Sequence, residues 1–131
     1  MQRVDWSGWL LSVLRIVAGF LFAQHGYQKV LGAFGGFGGR GAVPVGSLLW
    51  IGGMLEIVGS ALLLLGLFTR PVAFVLSGEM AAAYFRTHVP RGFWPIQNAG
   101  ELAVVYSFLF LYLSAAGGGA WSLDRLLRRK R

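Results

Sequence analysis

Residues 9–31 read WLLSVLRIVAGFLFAQHGYQKVL, and the only formally charged side chains in this run are those of Arg15 and Lys29. The hydrocarbon core of a bilayer is about 30 Å thick, and an α-helix that rises about 1.5 Å per residue crosses it in roughly 20 residues. The run therefore predicts a membrane-spanning helix.

Three further apolar segments are candidates for the same role, at residues 48–68, 71–85 and 99–116. The segment at 71–85 is short, so we expect it to extend into flanking residues. Only residues 69–71 connect it to the segment before, which makes those two helices antiparallel neighbours, with Pro71 at the first helical position. Because backbone groups in lipid must be satisfied within helices, we predict an all-α fold, a single integral membrane four-helix bundle over residues 1–131.

The composition supports a membrane environment and excludes several classes of function. Hydrophobic residues make up 56% of the 131 and charged residues only 13%, which is too apolar for a soluble domain of this size. The absence of cysteine excludes disulfides, cysteine nucleophiles and thiolate-held iron–sulfur clusters. The net charge is +7, but five of the twelve basic residues lie at 125–131, directly after an apolar segment. This placement favours contact with anionic headgroups, and we expect no nucleic-acid partner.

The distribution of Lys and Arg predicts the orientation. Four spans place both termini on one side, which then carries Arg3, Arg70 and the basic residues of 125–131. The opposite side carries Arg40, Arg86 and Arg91. Since cytoplasmic segments hold the excess of positive charge, we predict a multi-pass protein of the bacterial inner (cytoplasmic) membrane with both termini cytoplasmic.

Ionisable residues inside the predicted spans are the candidates for a functional site, because charged groups in lipid usually face the bundle interior and have partners. His25, Gln28 and Lys29 share one face of the first helix near its outer end. The other three spans each place one glutamate at a similar depth, namely Glu56, Glu79 and Glu101. The sequence thus predicts a polar, ligand-binding pocket in the outer half of the bundle, whereas the inner half holds mainly Arg15.

Two arrangements of these carboxylates stay open: they pair with cations, or they lie close together and form a proton relay. Several of the residues also have a structural interpretation. Glu101 follows Asn98 at the spacing of a capping box, which we favour for it, and Lys29 near a helix end can extend to the interface. His25 alone is typical of a hydrogen-bonded interior residue. Glu56 and Glu79 lie well inside their spans without a capping role, so for them we favour function.

A lipid-soluble quinone is the ligand that suits this pocket best. Its carbonyls need donors such as His25, Gln28 or Lys29, and its reduction needs protons that glutamates can carry. Haem between His25 and His88, or a carboxylate-rich metal site, has no supporting spacing, so we predict no metal and no resident cofactor. Aromatic residues near the same interface would flank the ring or form an interfacial belt; they are Trp50, Tyr84, Phe85, Phe93 and Trp94.

The residues after Ser122 predict a short amphipathic helix, capped by the Ser122 side chain. Its leucines, at positions 123, 126 and 127, would meet the membrane. Its cations would contact anionic lipid or an acidic partner; they are Arg125, Arg128, Arg129, Lys130 and Arg131.

Several motifs resemble the DoxX family of small bacterial membrane proteins. They include Glu56-Ile-Val-Gly59, Gly66-Leu-Phe-Thr-Arg70-Pro71, Asn98-Ala-Gly-Glu101 and Trp121-Ser-Leu-Asp124. The resemblance implies four transmembrane helices and an association with membrane oxidoreductase systems, including quinone-linked thiosulfate oxidation in related chains. The family name reflects a subunit found beside a terminal oxidase, which equally implies an accessory role.

We therefore expect a quinone-interacting or oxidoreductase-associated membrane component. The alternative is a non-catalytic accessory or structural subunit packed on a larger membrane complex, and a third interpretation is a small-solute or proton channel lined by the same carboxylates. The expected partners are membrane lipids and either other membrane protein subunits or further copies of this chain. Whether the chain itself is an enzyme stays open at this point.

Overall fold

The fold is entirely helical, as the sequence predicted. A computed structural model describes residues 3–131; 78% of the chain is helical, and the described residues form no β-strand. The α-helices are α1 (Trp6–Leu31), α2 (Leu48–Leu65), α3 (Thr69–Ala83), α4 (Pro95–Asn98), α5 (Glu101–Ala116) and α6 (Leu123–Arg129). Short 3-10 turns occur at Ala33–Gly35, Phe37–Gly39 and Val89–Arg91, and a π-helical turn, Tyr84–His88, directly follows α3.

Capping residues explain where the first two helices begin and end. α1 starts three residues before the predicted span because the carboxylate of Asp5 accepts the backbone N–H of Gly8 and caps the helix. α2 starts at the predicted residue, where the hydroxyl of Ser47 accepts the N–H of Trp50. It ends at Leu65, before the predicted boundary, because Gly66 takes a left-handed conformation and closes the helix.

The third helix differs in detail from the prediction. α3 begins at Thr69, so Pro71 occupies its third position and not its first. A proline is still tolerated there, since the first four N–H groups of a helix have no intrahelical partner. The helical path continues past Ala83 through the π-helical turn, which agrees with the expected use of flanking residues.

The chain forms two compact units. Unit 1 comprises the residues up to Thr69 together with residues 118–131, and unit 2 comprises residues 70–117. Unit 1 therefore contains α1, α2 and α6, whereas unit 2 contains α5 and nearly all of α3.

In unit 1, α1 packs against α2 along a face of small and apolar residues. Ala18 and Phe22 of α1 and Leu63 of α2 are buried, and so is the hydroxyl-bearing Ser60. Small residues at such a contact let helix backbones approach closely, which favours association in a membrane.

In unit 2, α3 and α5 are joined by hydrogen bonds. The hydroxyl of Ser77 donates to the carbonyl oxygen of Ser107 at 2.7 Å, and the hydroxyl of Ser107 donates to the carbonyl oxygen of Ser77 at 3.0 Å. The guanidinium of Arg70 donates to the carbonyl oxygen of Ala115. Polar side chains that bond across helices in this way stabilise packing in lipid by about 1 kcal/mol each.

Two helices in the described part of the chain, α1 and α2, are long and apolar enough to cross a membrane. α5 is a shorter apolar helix. Large hydrophobic side chains are exposed along these helices, among them Phe20 (61%), Val58 (52%) and Phe108 (67%). Such exposure is costly in water and is the normal condition of a helix surface that faces lipid.

Candidate functional site

Two glycines set the distance between α1 and α2 at the candidate site in unit 1. A Cβ atom on Gly26 would lie 2.8 Å from the carbonyl oxygen of Gly53, and one on Gly53 would lie 2.8 Å from Cγ2 of Val30. Both distances are shorter than packed side chains allow, so the two backbones reach this separation only because glycine is present. Lys29 and Glu56 each lie three residues beyond one of these glycines, which places them beside the contact.

Lys29 and Glu56 form a partly buried salt bridge at this point. Nζ of Lys29 lies 2.5 Å from Oε1 of Glu56, and the two side chains are 14% and 1% exposed. Burying a charge costs several kcal/mol unless it is paired, which explains why the two residues occur together. Lys29 is therefore the partner of a buried carboxylate, and its alternative interpretation, a side chain extended to the interface, stays a prediction.

The second carboxylate oxygen of Glu56 takes no part in this salt bridge. Oε2 is buried and has no hydrogen-bond partner among residues 3–131. Buried polar atoms are nearly always hydrogen-bonded, and one that is not is unfavourable by about 1–3 kcal/mol. This oxygen is therefore an acceptor that can take a hydrogen bond from a ligand.

The Phe37 ring and the loop after α1 lie next to the pair. His25 lies one turn before Lys29 on α1, and its half-buried ring is centred 6.3 Å from that of Phe22. Nζ of Lys29 lies 5.8 Å from the centre of the Phe37 ring, close enough for a cation–π interaction. The backbone N–H of Val43 donates to the carbonyl oxygen of Lys29 at 2.8 Å, so the loop after α1 folds back over its end. Gln28, also on α1, is half-buried.

The two other glutamates belong to unit 2. Glu79 is half-buried in α3, and Glu101 is exposed as the first residue of α5. Within unit 1, Lys29 and Glu56 are joined by an ion pair. The predicted participation of Glu79 and Glu101 in a common pocket stays a prediction.

The capping box predicted for Glu101 is wrong. The residue before α5 is Gly100, and α5 has no side-chain cap. Ala99 takes a left-handed conformation with a φ of 58°, which turns the chain between Asn98 and the helix. The side-chain oxygen of Asn98 then accepts the N–H of Gly100 at 2.8 Å, and Glu101 becomes the first helical residue and not the third.

Asn98 is instead the centre of a polar cluster that shapes the loop of unit 2. It is 1% exposed, and its amide nitrogen donates to the carbonyl oxygen of Gly92 at 2.7 Å. The Tyr84 hydroxyl donates to the carbonyl oxygen of Phe93, and Nδ1 of His88 lies 3.0 Å from the carbonyl oxygen of Asn98, to which it can only donate. These bonds give Tyr84 and His88 a structural role in holding the loop.

Arg15, which the sequence marked only as a charge in the inner half, organises the other end of unit 1. It is completely buried, and its Nε and Nη2 donate to the carbonyl oxygens of Gly118 and Trp121, each at 2.8 Å. Nη1 donates to the carbonyl oxygens of Leu63 and Leu64, at 3.0 Å for Leu64. One guanidinium thus ties α1 to the end of α2 and to the segment before α6, because its several donors fan out in one plane.

Hydrogen bonds to Ser122 and Asp124 hold the C-terminal segment in place. The hydroxyl of Ser122 accepts the N–H of Arg125 at 3.2 Å, which confirms the capped helix predicted here. The carboxylate of Asp124 accepts the N–H groups of Phe68 and Thr69 at 2.8 and 2.9 Å. α6 is therefore held against the turn that follows α2.

The Lys29–Glu56 pair has a defined binding capacity. An ammonium offers three N–H donors, and a carboxylate with one unbonded oxygen offers an acceptor. The pair can therefore bind a group that both accepts and donates hydrogen bonds inside an apolar environment. No cluster of three or more His, Cys, Asp or Glu side chains suited to a metal ion occurs within the described residues.

Two long apolar helices with exposed apolar side chains are typical of a helical membrane protein. Residues 10–89 match the family model described as DoxX, and the chain belongs to the DoxX family. The predicted resemblance is thus confirmed, and the chain is a membrane protein of that family.

Its relatives cover nearly the whole chain. An uncharacterized protein of Haemophilus influenzae is 51% identical over 126 residues, which is 93% of each chain. An uncharacterized membrane protein of Mycobacterium tuberculosis is 32% identical, over 89% of this chain and 80% of the relative. The inner membrane protein YqjF of Escherichia coli is 31% identical over 99% of both chains. No solved structure matches the chain significantly.

Proposed function

We propose that this protein is a quinone-interacting component of a membrane oxidoreductase system, and that the Lys29–Glu56 pair forms the polar side of its quinone site. The observation that carries the proposal is Oε2 of Glu56, a buried acceptor with no hydrogen-bond partner in the described chain, beside the half-buried ammonium of Lys29. A quinone carbonyl accepts from an ammonium, and the hydroxyl of the reduced quinol donates to a carboxylate. Both redox states thus find a partner on the same pair.

The surroundings of the pair suit a flat apolar ring. Phe22 is buried on α1, and Phe37 lies beside the ammonium of Lys29. Aromatic side chains favour offset or edge contacts with a flat conjugated ring at centre distances of about 4.5–7 Å. His25, one turn from Lys29, is a further donor for the second quinone carbonyl.

The electrons in this proposal come from elsewhere. Reduction of a quinone to a quinol takes up two electrons and two protons, and a partner oxidoreductase of the same membrane supplies the electrons. Glu56 accepts and passes on a proton at Oε2. This assignment makes other membrane subunits the expected partners of the chain.

The membrane arrangement that we propose is a four-helix bundle in the bacterial inner membrane, with both termini in the cytoplasm. α1 and α2 qualify as spans, α3 gains length from its π-helical turn, and α5 is apolar over 16 residues. The excess of Lys and Arg in the C-terminal tail supports the orientation. The inner-membrane name of the Escherichia coli relative supports the location.

The topology can be tested cleanly because the chain has no cysteine. Single cysteines are introduced at exposed sites by Ala42→Cys, Gln97→Cys and Lys130→Cys. A membrane-impermeant maleimide added to intact cells should label the first two and leave the third unlabelled until the membrane is broken. Labelling of Lys130→Cys in intact cells would overturn the orientation.

The quinone site is tested by equilibrium binding. Purified protein in lipid nanodiscs is titrated with a short-tailed ubiquinone, and the quenching of its tryptophan fluorescence is followed. We expect saturable binding that Glu56→Gln weakens about tenfold or more, since one charge-assisted hydrogen bond is lost. Asp5→Asn makes the same chemical change on an exposed carboxylate outside the predicted pocket and should leave affinity unchanged. No binding by the unaltered protein, or equal losses in the two variants, contradicts the proposal.

The alternative, a non-catalytic accessory subunit, draws on an exposed face of α5. Leu102, Val105, Phe108 and Tyr112 recur along this helix, and each is more than half exposed. Such a face packs on lipid or on a partner subunit. Native mass spectrometry of membranes solubilised in mild detergent distinguishes the two proposals, because an accessory subunit is recovered in a complex whether or not Glu56 is replaced by Gln.

A further inference from the structure

We infer that unit 1 carries a binding site for an acidic phospholipid, in a groove between the end of α2 and the face of α6. This inference does not depend on the proposed quinone function. The groove has a volume of about 290 Å³ and is lined principally by Leu65, Trp121, Leu123, Arg125, Leu126 and Arg129. The groove lies at the C-terminal end of α2, whose last residue is Leu65.

The groove combines a cationic side with an apolar wall. Arg125 and Arg129 are four residues apart on α6, so they project from the same side of the helix. Leu65 and Leu126, 54% and 49% exposed, supply the apolar surface. A free phosphate ion would be bound by the cations alone, whereas a phospholipid uses both parts, with its phosphate on the guanidinium groups and its acyl chain on the leucines.

Exposed tryptophan rings lie beside the groove, an arrangement typical of the depth of lipid headgroups. Trp6, Trp9 and Trp121 form a chain of ring contacts, with centres 5.5 Å apart for the first pair and 5.9 Å for the second. All three rings are exposed, at 64%, 38% and 53%. Exposed tryptophans collect at the membrane interface, and Trp121 belongs both to this cluster and to the lining of the groove.

The two arginines of the groove are not neutralised by close carboxylates. Within the described residues, Arg129 makes no ion pair, and the single partner of Arg125 is Asp5, at 3.8 Å. Both side chains of that pair are well exposed, 40% and 52%, so their attraction is screened by solvent and contributes little. A lipid phosphate can therefore bind both guanidinium groups without breaking a strong interaction.

Hydrogen bonds within the chain hold the walls of the groove in place. α6 is fixed by its Ser122 cap and by the bonds from Asp124 to the backbone after α2. Arg128 points differently, since its Nε donates to the carbonyl oxygen of Asp124 at 3.4 Å and its side chain does not line the groove. Of the five cations in residues 125–131, Arg125 and Arg129 thus line the groove and the other three do not.

This division defines the experiment. Arg125→Gln/Arg129→Gln and Arg128→Gln/Lys130→Gln each remove two positive charges, but only the first pair lines the groove. Full-length protein in detergent is titrated with phosphatidylglycerol or with phosphatidylcholine of the same chain length, and bound lipid is counted by native mass spectrometry. We expect the unaltered protein to bind one phosphatidylglycerol in preference to phosphatidylcholine. The first variant should reduce this preference about tenfold or more, and the second should change it by less than about twofold.

Two further comparisons distinguish the lipid from its headgroup. Leu126→Asn should weaken phosphatidylglycerol binding, and glycerol phosphate without acyl chains should not displace the lipid. Equal losses in the two double variants would show diffuse charge attraction, and displacement by glycerol phosphate would show a site for phosphate alone. Either of these results, or the absence of a preference for phosphatidylglycerol, overturns the inference. Helical circular dichroism spectra that match the unaltered protein confirm that each variant is folded.

Discussion

The ammonium of Lys29 and the carboxylate of Glu56 meet at 2.5 Å inside the contact between α1 and α2, next to a point where glycines alone let the helices approach. A charge on either helix would be unfavourable in this apolar setting without the other. The pair satisfies one carboxylate oxygen and leaves the second without a partner among the described residues. The pair therefore leaves one carboxylate oxygen that can accept a further hydrogen bond.

Replacing Lys29 alone should destabilise the protein more than replacing both Lys29 and Glu56. Lys29→Met leaves a buried carboxylate unpaired and should lower the free energy of unfolding by about 3–5 kcal/mol, whereas Lys29→Met/Glu56→Gln should recover most of that loss. Equilibrium unfolding in mixed micelles measures both variants, with the exposed Lys130→Met as a control that should change little. If Lys29→Met lowers the free energy of unfolding equally in the unaltered protein and in the Glu56→Gln variant, the two residues do not interact.

The glycine contact predicts a sharp difference between two small substitutions. Gly26→Ala puts a methyl group 2.8 Å from the carbonyl oxygen of Gly53 and should destabilise the protein by about 1–3 kcal/mol. Gly78→Ala meets nothing within 4 Å and should be neutral or stabilising by up to about 1 kcal/mol, since alanine favours helices. Thermal unfolding in detergent compares the two variants, and equal midpoints would contradict the close packing of α1 on α2.

Arg15 should control how firmly the C-terminal segment is held. Arg15→Met leaves the carbonyl oxygens of Gly118 and Trp121 without this donor and should cost about 3 kcal/mol or more. Arg15→Lys should rescue little, because one ammonium does not reproduce the planar set of donors. Trypsin should then cut at Arg125 faster in both variants than in the exposed-site control Arg91→Met. Unchanged cleavage would show that the tail is held without Arg15.

The helix cap at Asp5 predicts a dependence on pH. The backbone N–H of Gly8, followed by the Ser7 hydroxyl and the charge of Arg125, holds the pKa of Asp5 below its ordinary value. A lowered pKa in the folded state stabilises the protein above the ordinary carboxyl range of about 4, and this stabilisation is lost as the pH falls through the lowered pKa.

The difference in unfolding midpoint between the unaltered protein and Asp5→Ala should therefore be present at neutral pH and disappear in acid. Asp5→Asn also caps helices but does not titrate, so its advantage over Asp5→Ala should persist at low pH. If the difference in unfolding midpoint between the unaltered protein and Asp5→Ala is the same at every pH, the charged carboxylate has no such role.

The sequence predicted the helices well because their signals are local. The last residue of α1, the first of α2 and the last of α5 all match the predicted boundaries at residues 31, 48 and 116, where glycine or serine ends or caps a helix. The Ser122 cap of α6 is an equally local signal. Such signals depend on propensity and capping within a few residues, which a single sequence contains.

Partners across helices could not be predicted in the same way. Three glutamates were equally available to Lys29 on the sequence, and the choice of Glu56 follows from the glycine contact between α1 and α2. Arg15 was noticed, but its partners are backbone carbonyl groups, which every residue has. The capping box at Glu101 failed because the left-handed turn at Ala99 depends on how Asn98 bonds to its own loop.

The central claim, that a quinone binds at the Lys29–Glu56 pair, is tested most directly by photo-crosslinking. An azido-quinone is photolysed with the protein in nanodiscs, and the labelled peptides are identified by mass spectrometry. The account predicts label on α1 near residues 22–29 or on α2 near residues 53–60, displaced by excess unlabelled quinone and reduced by Glu56→Gln but not by Asp5→Asn. Label confined to α6, or label that excess quinone does not displace, would contradict it.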